Sequence, residues 1–177
     1  VNNVGRKMLF LLWSRLVSTL PGMAQTEKLT DYVNPFVGTD GYGNVYPGAQ
    51  IPFGGIQISP DTDSRFYDAA SGYKYNHLTL MGFSLTHLSG TGIPDLGDFL
   101  FIPGTGEMKL QPGTHEDPDQ GYRSRYSHGK EWASPNYYAV ELADYGVKAE
   151  MTSGVRSGMF RFTYPESDNA FIMIDMN

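Results

Sequence analysis

Two glycine-rich segments combine the residue types that bind sugar hydroxyls. Residues 34–55 form the part of the chain that is densest in Gly, Pro and aromatic residues. Glycine lets a backbone approach a ligand closely or adopt positive φ, aromatic rings offer flat apolar faces, and amides and carboxylates bond hydroxyls. A phosphate site would need a strand, a Gly-rich loop and a helix, with Lys or Arg nearby, and both features are missing. The segment therefore suits a sugar better than a phosphate, with a tight structural loop as the alternative.

The second segment, residues 82–98, holds one His, two Asp, several hydroxyl groups and four Gly. Asp95 and Asp98 are candidates either for accepting sugar hydroxyls or for capping turns, and His87 is a candidate either for a ligand contact or for a structural role. A Ser-His-Asp hydrolase is not indicated, because Ser84 and Ser89 lack the Gly-flanked turn that exposes such a nucleophile. We expect this segment to lie beside the first one, so that both form one wall of a sugar site.

The sequence predicts no metal site of its own. Residues 61–68 resemble a calcium loop superficially, but Arg65 occupies the third alternate ligand position and no Gly follows where it is required. This favours a charged loop. The four His, at positions 77, 87, 115 and 128, lack the spacing of a two-His metal motif.

The elements that must position these segments are strands. Several short stretches alternate apolar and polar residues, and no convincing helical pattern follows residue 30. The sequence Ala143-Asp144-Tyr145-Gly146 predicts a hairpin link, since Gly tolerates positive φ. Short strands without intervening helices indicate an all-β antiparallel sandwich. The predicted strands are Gly55–Ser59, Phe99–Ile102 ending at Pro103, Tyr138–Leu142, Val147–Met151, Met159–Tyr164 and the apolar run that begins at Phe171.

Composition excludes several classes of protein. The 177 residues carry a formal net charge of −6, which argues against a nucleic-acid surface because phosphate binding needs clustered cations. Charged residues are 18% and aromatic residues 14%, unlike a coiled coil or a disordered acidic tail. The absence of Cys excludes disulfides, thiolate metal sites and cysteine nucleophiles.

The first residues have the pattern of a secretory leader. Arg6 and Lys7 precede the apolar run 8–13, and the small residues Gly22 and Ala24 stand ahead of Gln25. We predict a signal peptide over 1–24, cleavage after Ala24, and export to the periplasm or cell surface of a bacterium. The alternative is an amphipathic or cytosolic extension. The run is too short to span a membrane. At the other end, the apolar strand from residue 171 has no turn after it, which predicts that the chain stops inside a domain.

Several ordered blocks resemble the start of glycoside hydrolase family 92. They include Tyr32-Val33-Asn34-Pro35-Phe36-Val37-Gly38-Thr39-Asp40, Tyr46-Pro47-Gly48-Ala49, Pro52-Phe53-Gly54 and Thr86-His87-Leu88-Ser89-Gly90-Thr91-Gly92. Further blocks are Ser59-Pro60-Asp61-Thr62, Ser71-Gly72-Tyr73 and Arg161-Phe162-Thr163-Tyr164-Pro165. The resemblance covers nearly all of residues 31–177. Leu85 departs from it, since a polar residue is common at that place.

The resemblance implies an exo-acting α-mannosidase, with α-1,2 linkages a frequent specificity, acting on mannose-rich glycans. It implies an N-terminal β-supersandwich similar to galactose mutarotase that packs on a C-terminal (α/α)₆ barrel, with residues 25–177 as most of the sandwich only. The reaction would be calcium-assisted hydrolysis with inversion. The catalytic acid and base and the principal calcium ligands would lie in the barrel. We therefore assign no catalytic residue and no metal or cofactor to this chain, and we expect it to be inactive alone.

The resemblance also implies which residues line the sugar site. The best candidates in the first loop are Gly38, Thr39 and Asp40, and those in the second are His87, Ser89 and Asp98; Arg65 and Tyr67 follow. Their roles would be hydrogen bonds to hydroxyl groups and shaping of the pocket. The alternative functions are a carbohydrate-binding module without catalysis and a structural sandwich without a ligand.

Overall fold

A computed structural model describes residues 27–63, 67–95, 97 and 99–176. These residues contain ten strands and four short 3₁₀ turns, and no α-helix is found among them. The strands are β1 (Ser59–Asp61), β2 (Thr79–Leu80), β3 (Gly82–Ser84), β4 (Leu100–Thr105), β5 (Ser124–Arg125), β6 (Glu131–Ser134), β7 (Tyr137–Leu142), β8 (Val147–Ser153), β9 (Gly158–Thr163) and β10 (Ala170–Asp175). The 3₁₀ turns are Leu29–Tyr32, Tyr67–Ala69, Pro118–Gln120 and His128–Lys130. The predicted all-β class is confirmed.

The strands form three antiparallel sheets. One sheet has the order β1-β3-β4-β10, another has the order β6-β7-β8-β9, and β2 pairs with β5. The first two sheets pack face to face through aromatic side chains. Phe101 of β4 lies 5.1 Å from Phe160 of β9, and Phe83 of β3 lies 6.1 Å from Phe162, both measured between ring centroids. This arrangement is the sandwich that the strand pattern predicts.

The core lies between these sheets. Alternate residues of β7 and β8 are buried and meet apolar side chains from β2, β3 and the segment before β1. Because side chains alternate across a strand, the inward set follows from the period of two in the sequence. The fully buried members are Ala49, Ile58, Leu80, Phe83, Tyr138, Val140, Val147, Ala149 and Met151.

The strong sequence patterns place their strands correctly. The hairpin from β7 to β8 pairs Leu142 with Val147, and Gly146 has φ of 64°, as the turn requires. Met159 and Arg161 are exposed on one face of β9, whereas Phe160 and Phe162 point inward. The apolar run from residue 171 falls in β10 and pairs with β4.

Two strand boundaries were predicted wrongly. The alternating stretch Gly55–Ser59 is mostly irregular: only Ile58 makes an isolated bridge, to Ala49, and β1 begins at Ser59. Pro103 does not end its strand but lies inside β4, opposite Ile172. A proline is tolerated there because β3 pairs with β4 only at Phe101, which leaves one side of the strand without a ladder further along.

Within the described ranges, no helical segment has the length and hydrophobicity to cross a membrane. The predicted signal peptide at 1–24 lies outside the described residues.

Candidate functional site

The first loop, residues 34–55, is held by hydrogen bonds on both sides of Thr39, one within the loop and one to Tyr75. The Thr39 hydroxyl donates to the Phe36 carbonyl at 2.8 Å, and the Tyr75 N–H donates to the Thr39 carbonyl at 2.9 Å. Gly38 has φ of 85°. A Cβ at Gly43 would overlap the carbonyl oxygen of Gly38, so the loop closes on itself too tightly for any side chain there.

The second loop, residues 82–98, lies directly against the first, as predicted. The Gly90 N–H donates to the Asn44 carbonyl at 2.6 Å. The Tyr46 ring lies 5.1 Å from the His87 ring. The two glycine-rich segments therefore form one continuous surface.

Two exposed tyrosines extend this surface. Tyr42 of the first loop is 79% exposed and Tyr67 is 63% exposed, and their ring centroids are 6.3 Å apart. The Tyr67 ring also packs on Gly92 of the second loop so closely that a Cβ at Gly92 would overlap it. The Lys74 ammonium lies 5.8 Å from the Tyr42 centroid. Neighbouring aromatic faces beside polar groups are what a sugar ring needs for apolar contact and orientation.

A buried polar network lies beneath this surface. His87 Nδ1 is 2.6 Å from the Gln57 carbonyl, and Nε2 is 2.9 Å from Asp61 Oδ1. The Ser84 hydroxyl donates to Asp61 Oδ2 at 2.7 Å. Burial alone would lower the pKa of His87, but the charge and hydrogen bond of Asp61, with the Gln57 carbonyl, outweigh it and raise the pKa.

This network does not have the geometry of a nucleophilic triad. In such a triad the serine bonds one ring nitrogen of the His and the carboxylate bonds the other. Here Ser84 and Asp61 both meet Nε2, while Nδ1 faces a backbone carbonyl. Ser84 and His87 are also buried. The geometry of Ser84, His87 and Asp61 therefore agrees with the sequence analysis, which does not indicate a Ser-His-Asp hydrolase.

The predicted site residues fall in three positions relative to the surface. Gly38, Asp40, Tyr67 and Ser89 are exposed on it. Thr39 and His87 lie below it, being 3% and 5% exposed, with their polar atoms bonded to protein groups. Arg65 and Asp98 lie outside the described residues. Tyr42 was not singled out from the sequence, although the density of aromatic residues in its loop was the available signal.

The described residues do not form a metal centre. No group of three or more His, Asp or Glu side chains among them could hold an ion. Asp61 is paired with His87, and Asp63 lies 3.8 Å from the buried Arg123 guanidinium. Two carboxylates of the calcium-like stretch, those of Asp61 and Asp63, therefore have basic side chains as partners.

The described residues form an all-β sandwich in which two glycine-rich loops meet in one surface. The chain belongs to glycoside hydrolase family 92: residues 32–177 match the Glycosyl hydrolase family 92 N-terminal domain.

Solved structures similar to this chain include family 92 enzymes. An α-mannosidase from Bacteroides thetaiotaomicron, solved alone and in complex with mannoimidazole, is 99% identical over 85% of the chain, with a TM-score of 0.84. An inverting mannosidase from Bacteroides thetaiotaomicron VPI-5482 is 28% identical over 85% of the chain, with a TM-score of 0.68. The chain covers 20% of each of these proteins.

A curated relative comes from a fungus. It is described as an uncharacterized secreted glycosidase of Arthroderma benhamiae and is 28% identical over 160 residues. The match covers 86% of this chain and 19% of that protein. The chain thus spans about a fifth of the length of the relatives it matches.

Proposed function

We propose that this chain is the sugar-binding wall of an exported, calcium-dependent inverting exo-α-mannosidase that acts on α-1,2-linked mannose in mannose-rich glycans. The observation that carries the proposal is the joining of the two glycine-rich loops, by the Gly90–Asn44 hydrogen bond, into one surface that presents Asp40, Ser89 and two tyrosines. Family membership supports the reaction class. The neighbour solved with mannoimidazole supports a mannose-type ligand, and the fungal relative described as secreted supports export.

In this proposal the wall orients the sugar and does not itself catalyse. Tyr42 and Tyr67 supply apolar faces, Asp40 and Ser89 bond hydroxyl groups, and the glycine backbones allow close approach. Inversion requires an acid and a base about 6.5–9.5 Å apart on opposite sides of the scissile bond. We assign both carboxyl groups, and the calcium, to a C-terminal (α/α)₆ barrel of the parent protein, which packs on this domain. Calcium would be held there by hard oxygen ligands.

The wall is tested with the Asp40→Asn and Tyr67→Ala variants of the full-length protein. The Gly41 N–H donates to Asp40 Oδ1 at 2.7 Å, and Asn keeps that acceptor, so Asp40→Asn removes the charge without removing the turn. For Asp40→Asn we expect kcat/KM for an α-1,2-mannobiose, with calcium present, to fall roughly 10- to 150-fold, since a hydrogen bond to a charged group is worth about 1.5–3 kcal/mol. Tyr67→Phe separates loss of the hydroxyl group from loss of the ring.

The matched control is Asp168→Asn. Asp168 is an exposed carboxylate just before β10. Ala170 of that strand pairs with Thr105, the last residue of β4, whereas the second loop leads into the first residue of β4. Asp168 therefore lies near the opposite end of β4 from the second loop. This control should keep full activity. If the Asp40→Asn and Tyr67→Ala variants have the same kcat/KM as Asp168→Asn, the proposed sugar-binding wall is refuted.

A separate assay distinguishes the enzyme from its sugar-binding part. The chain of residues 1–177 alone should release no mannose at an enzymatic rate, because each positioned acid or base is worth about 10²–10⁴-fold. Mannose release is compared between the purified chain and the full-length protein. Turnover by the chain alone would place the catalytic groups in the sandwich and overturn the assignment to the barrel.

A further inference from the structure

The two loops rest on a histidine whose ring nitrogens both face hydrogen-bond acceptors. The Gln57 carbonyl, 2.6 Å from Nδ1, can only accept, so Nδ1 must carry a hydrogen. Asp61 Oδ1 is 2.9 Å from Nε2, and the Ser84 hydroxyl uses its hydrogen on Asp61 Oδ2. Nε2 must therefore carry a hydrogen as well. A neutral imidazole has only one N–H, so with Asp61 as a carboxylate this geometry requires the imidazolium.

The charges that meet this ring come from few groups. Asp61 on β1 is the carboxylate partner and is 3% exposed. Tyr46 of the first loop packs against the ring, and burial raises its pKa to about 12, so it remains neutral. Ser84 on β3 and the Gln57 carbonyl before β1 are uncharged. His87 and Asp61 thus form a buried ion pair. Loss of either charge leaves the other charge buried without a partner of opposite sign.

The pair joins the three segments that carry the surface. His87 belongs to the second loop, and its ring packs on Tyr46 of the first. Gly72, with φ of 86°, lies so close that a Cβ there would be 2.8 Å from His87 Cδ2 and would overlap the Asp61 carboxylate. The Gly72 carbonyl accepts the Thr62 N–H at 2.7 Å, which fixes the base of the segment that carries Tyr67. The His87 side chain therefore contacts the first loop at Tyr46 and lies against Gly72 at the base of this segment.

We propose that His87 is a positioning residue whose doubly protonated ring, locked between Asp61 and the Gln57 carbonyl, holds the two loops of the wall in register. We call the contacts of His87 with Asp61, the Gln57 carbonyl and Tyr46 the clamp. The clamp is a property of this chain, and only its consequence for sugar binding rests on the proposed function. Deprotonation or replacement of His87 should release the second loop from the first while the β6-β7-β8-β9 sheet stays intact.

The protonation state is read directly from the ¹⁵N chemical shifts of the His87 ring in the wild-type chain. At pH 7 we expect both ring nitrogens to be protonated. In Asp61→Asn the charge is removed and the amide nitrogen can donate to Nε2, so His87 should become neutral at the same pH. A singly protonated ring in the folded wild-type chain at pH 7 would overturn the proposal, whatever the behaviour of the variants.

The clamp is read from amide hydrogen exchange of Gly90, which donates across the two loops. In His87→Gln we expect Gly90 to exchange roughly tenfold faster, corresponding to loss of a hydrogen bond with a charged group. The amide exchange rate of Ala149 in β8 should stay the same in this variant. His115→Gln is the matched control, since His115 contacts Thr79, Asp63 and His77 but neither loop. Unchanged Gly90 exchange in His87→Gln would refute the clamp.

If His87→Gln fails to fold, the wild-type ring shifts and Asp61→Asn still decide the matter. Binding of methyl α-mannoside by the full-length protein is measured on the same variants. Loss of binding with faster Gly90 exchange supports both proposals. If the His87 ring is doubly protonated and His87→Gln speeds Gly90 exchange, but the wild-type protein binds no mannoside, the proposed function is refuted and the clamp is not.

Discussion

At the scale of single residues, the raised pKa of His87 makes stability depend on pH. The pKa of His87 is raised above its ordinary value of 6.5 in the folded chain. The pair therefore contributes its full stabilisation below pH 6.5 and loses it as the pH rises through the raised value. The difference in unfolding free energy between wild type and His87→Gln, measured by urea denaturation, should narrow as the pH is raised from 6. A difference that stays constant up to pH 10 would show that no proton is involved.

Glu150 titrates in the opposite sense. Hydrogen bonds from Arg161, first, and Tyr137 lower the pKa of this carboxyl to about 2 from its usual 4.5. Its contribution to stability is therefore present above pH 4.5 and is lost as the pH falls towards 2. In Arg161→Ala we expect the pKa of Glu150 to return towards 4.5, followed by the ¹³C shift of the carboxyl group in an NMR titration. Arg156→Ala serves as the control, since Arg156 stands in the exposed turn before β9.

At the scale of elements, the first loop depends on one close backbone contact. Gly43→Ala places a Cβ on the Gly38 carbonyl and should cost about 1–3 kcal/mol of unfolding free energy, as overpacking does. Gly129→Ala is the control, because a Cβ at Gly129 meets nothing within 4 Å. Denaturant unfolding of both variants gives the comparison. Equal stability of the two would mean that the loop yields without strain.

At the scale of the whole molecule, β10 is an apolar edge strand of its sheet. It pairs with β4 on one edge, and no other described strand pairs with it. Ile172 and Ile174 are each 53% exposed on its outer face. Exposed apolar edge strands promote association between chains. We expect the isolated chain to self-associate and the double variant Ile172→Lys, Ile174→Lys to shift towards monomer in light scattering.

The control for this prediction is Val155→Lys. Val155 is similarly exposed, at 58%, but lies in the turn between β8 and β9 rather than along a strand edge. A wild-type chain that remains monomeric at high concentration would contradict the role of β10. Equal effects of the two substitutions would point to general charge repulsion instead.

Local patterns are sufficient where one face of a strand is buried. The alternation at Tyr138–Leu142, with Gly146 in the turn, predicts the β7–β8 hairpin because a shift of one residue would turn every apolar side chain outward. The same reasoning fails for Gly55–Ser59. Its residues alternate as predicted, but among the described residues no strand forms a continuous ladder with this segment before β1 begins at Ser59. Whether an extended segment becomes a strand depends on a neighbour that is distant in sequence.

The sequence by itself determined the all-β class, the family and the two loops that make up the surface. These follow from local alternation, turn residues and ordered blocks, which need no knowledge of distant contacts. Only the tertiary structure decided where His87 lies and which groups its ring contacts. From sequence it was a candidate for contacting sugar, whereas Asp61 and Gln57, 26 and 30 residues away, bond both of its ring nitrogens below the surface. Burial and protonation are set by groups that the fold brings together, and no spacing along the chain encodes them.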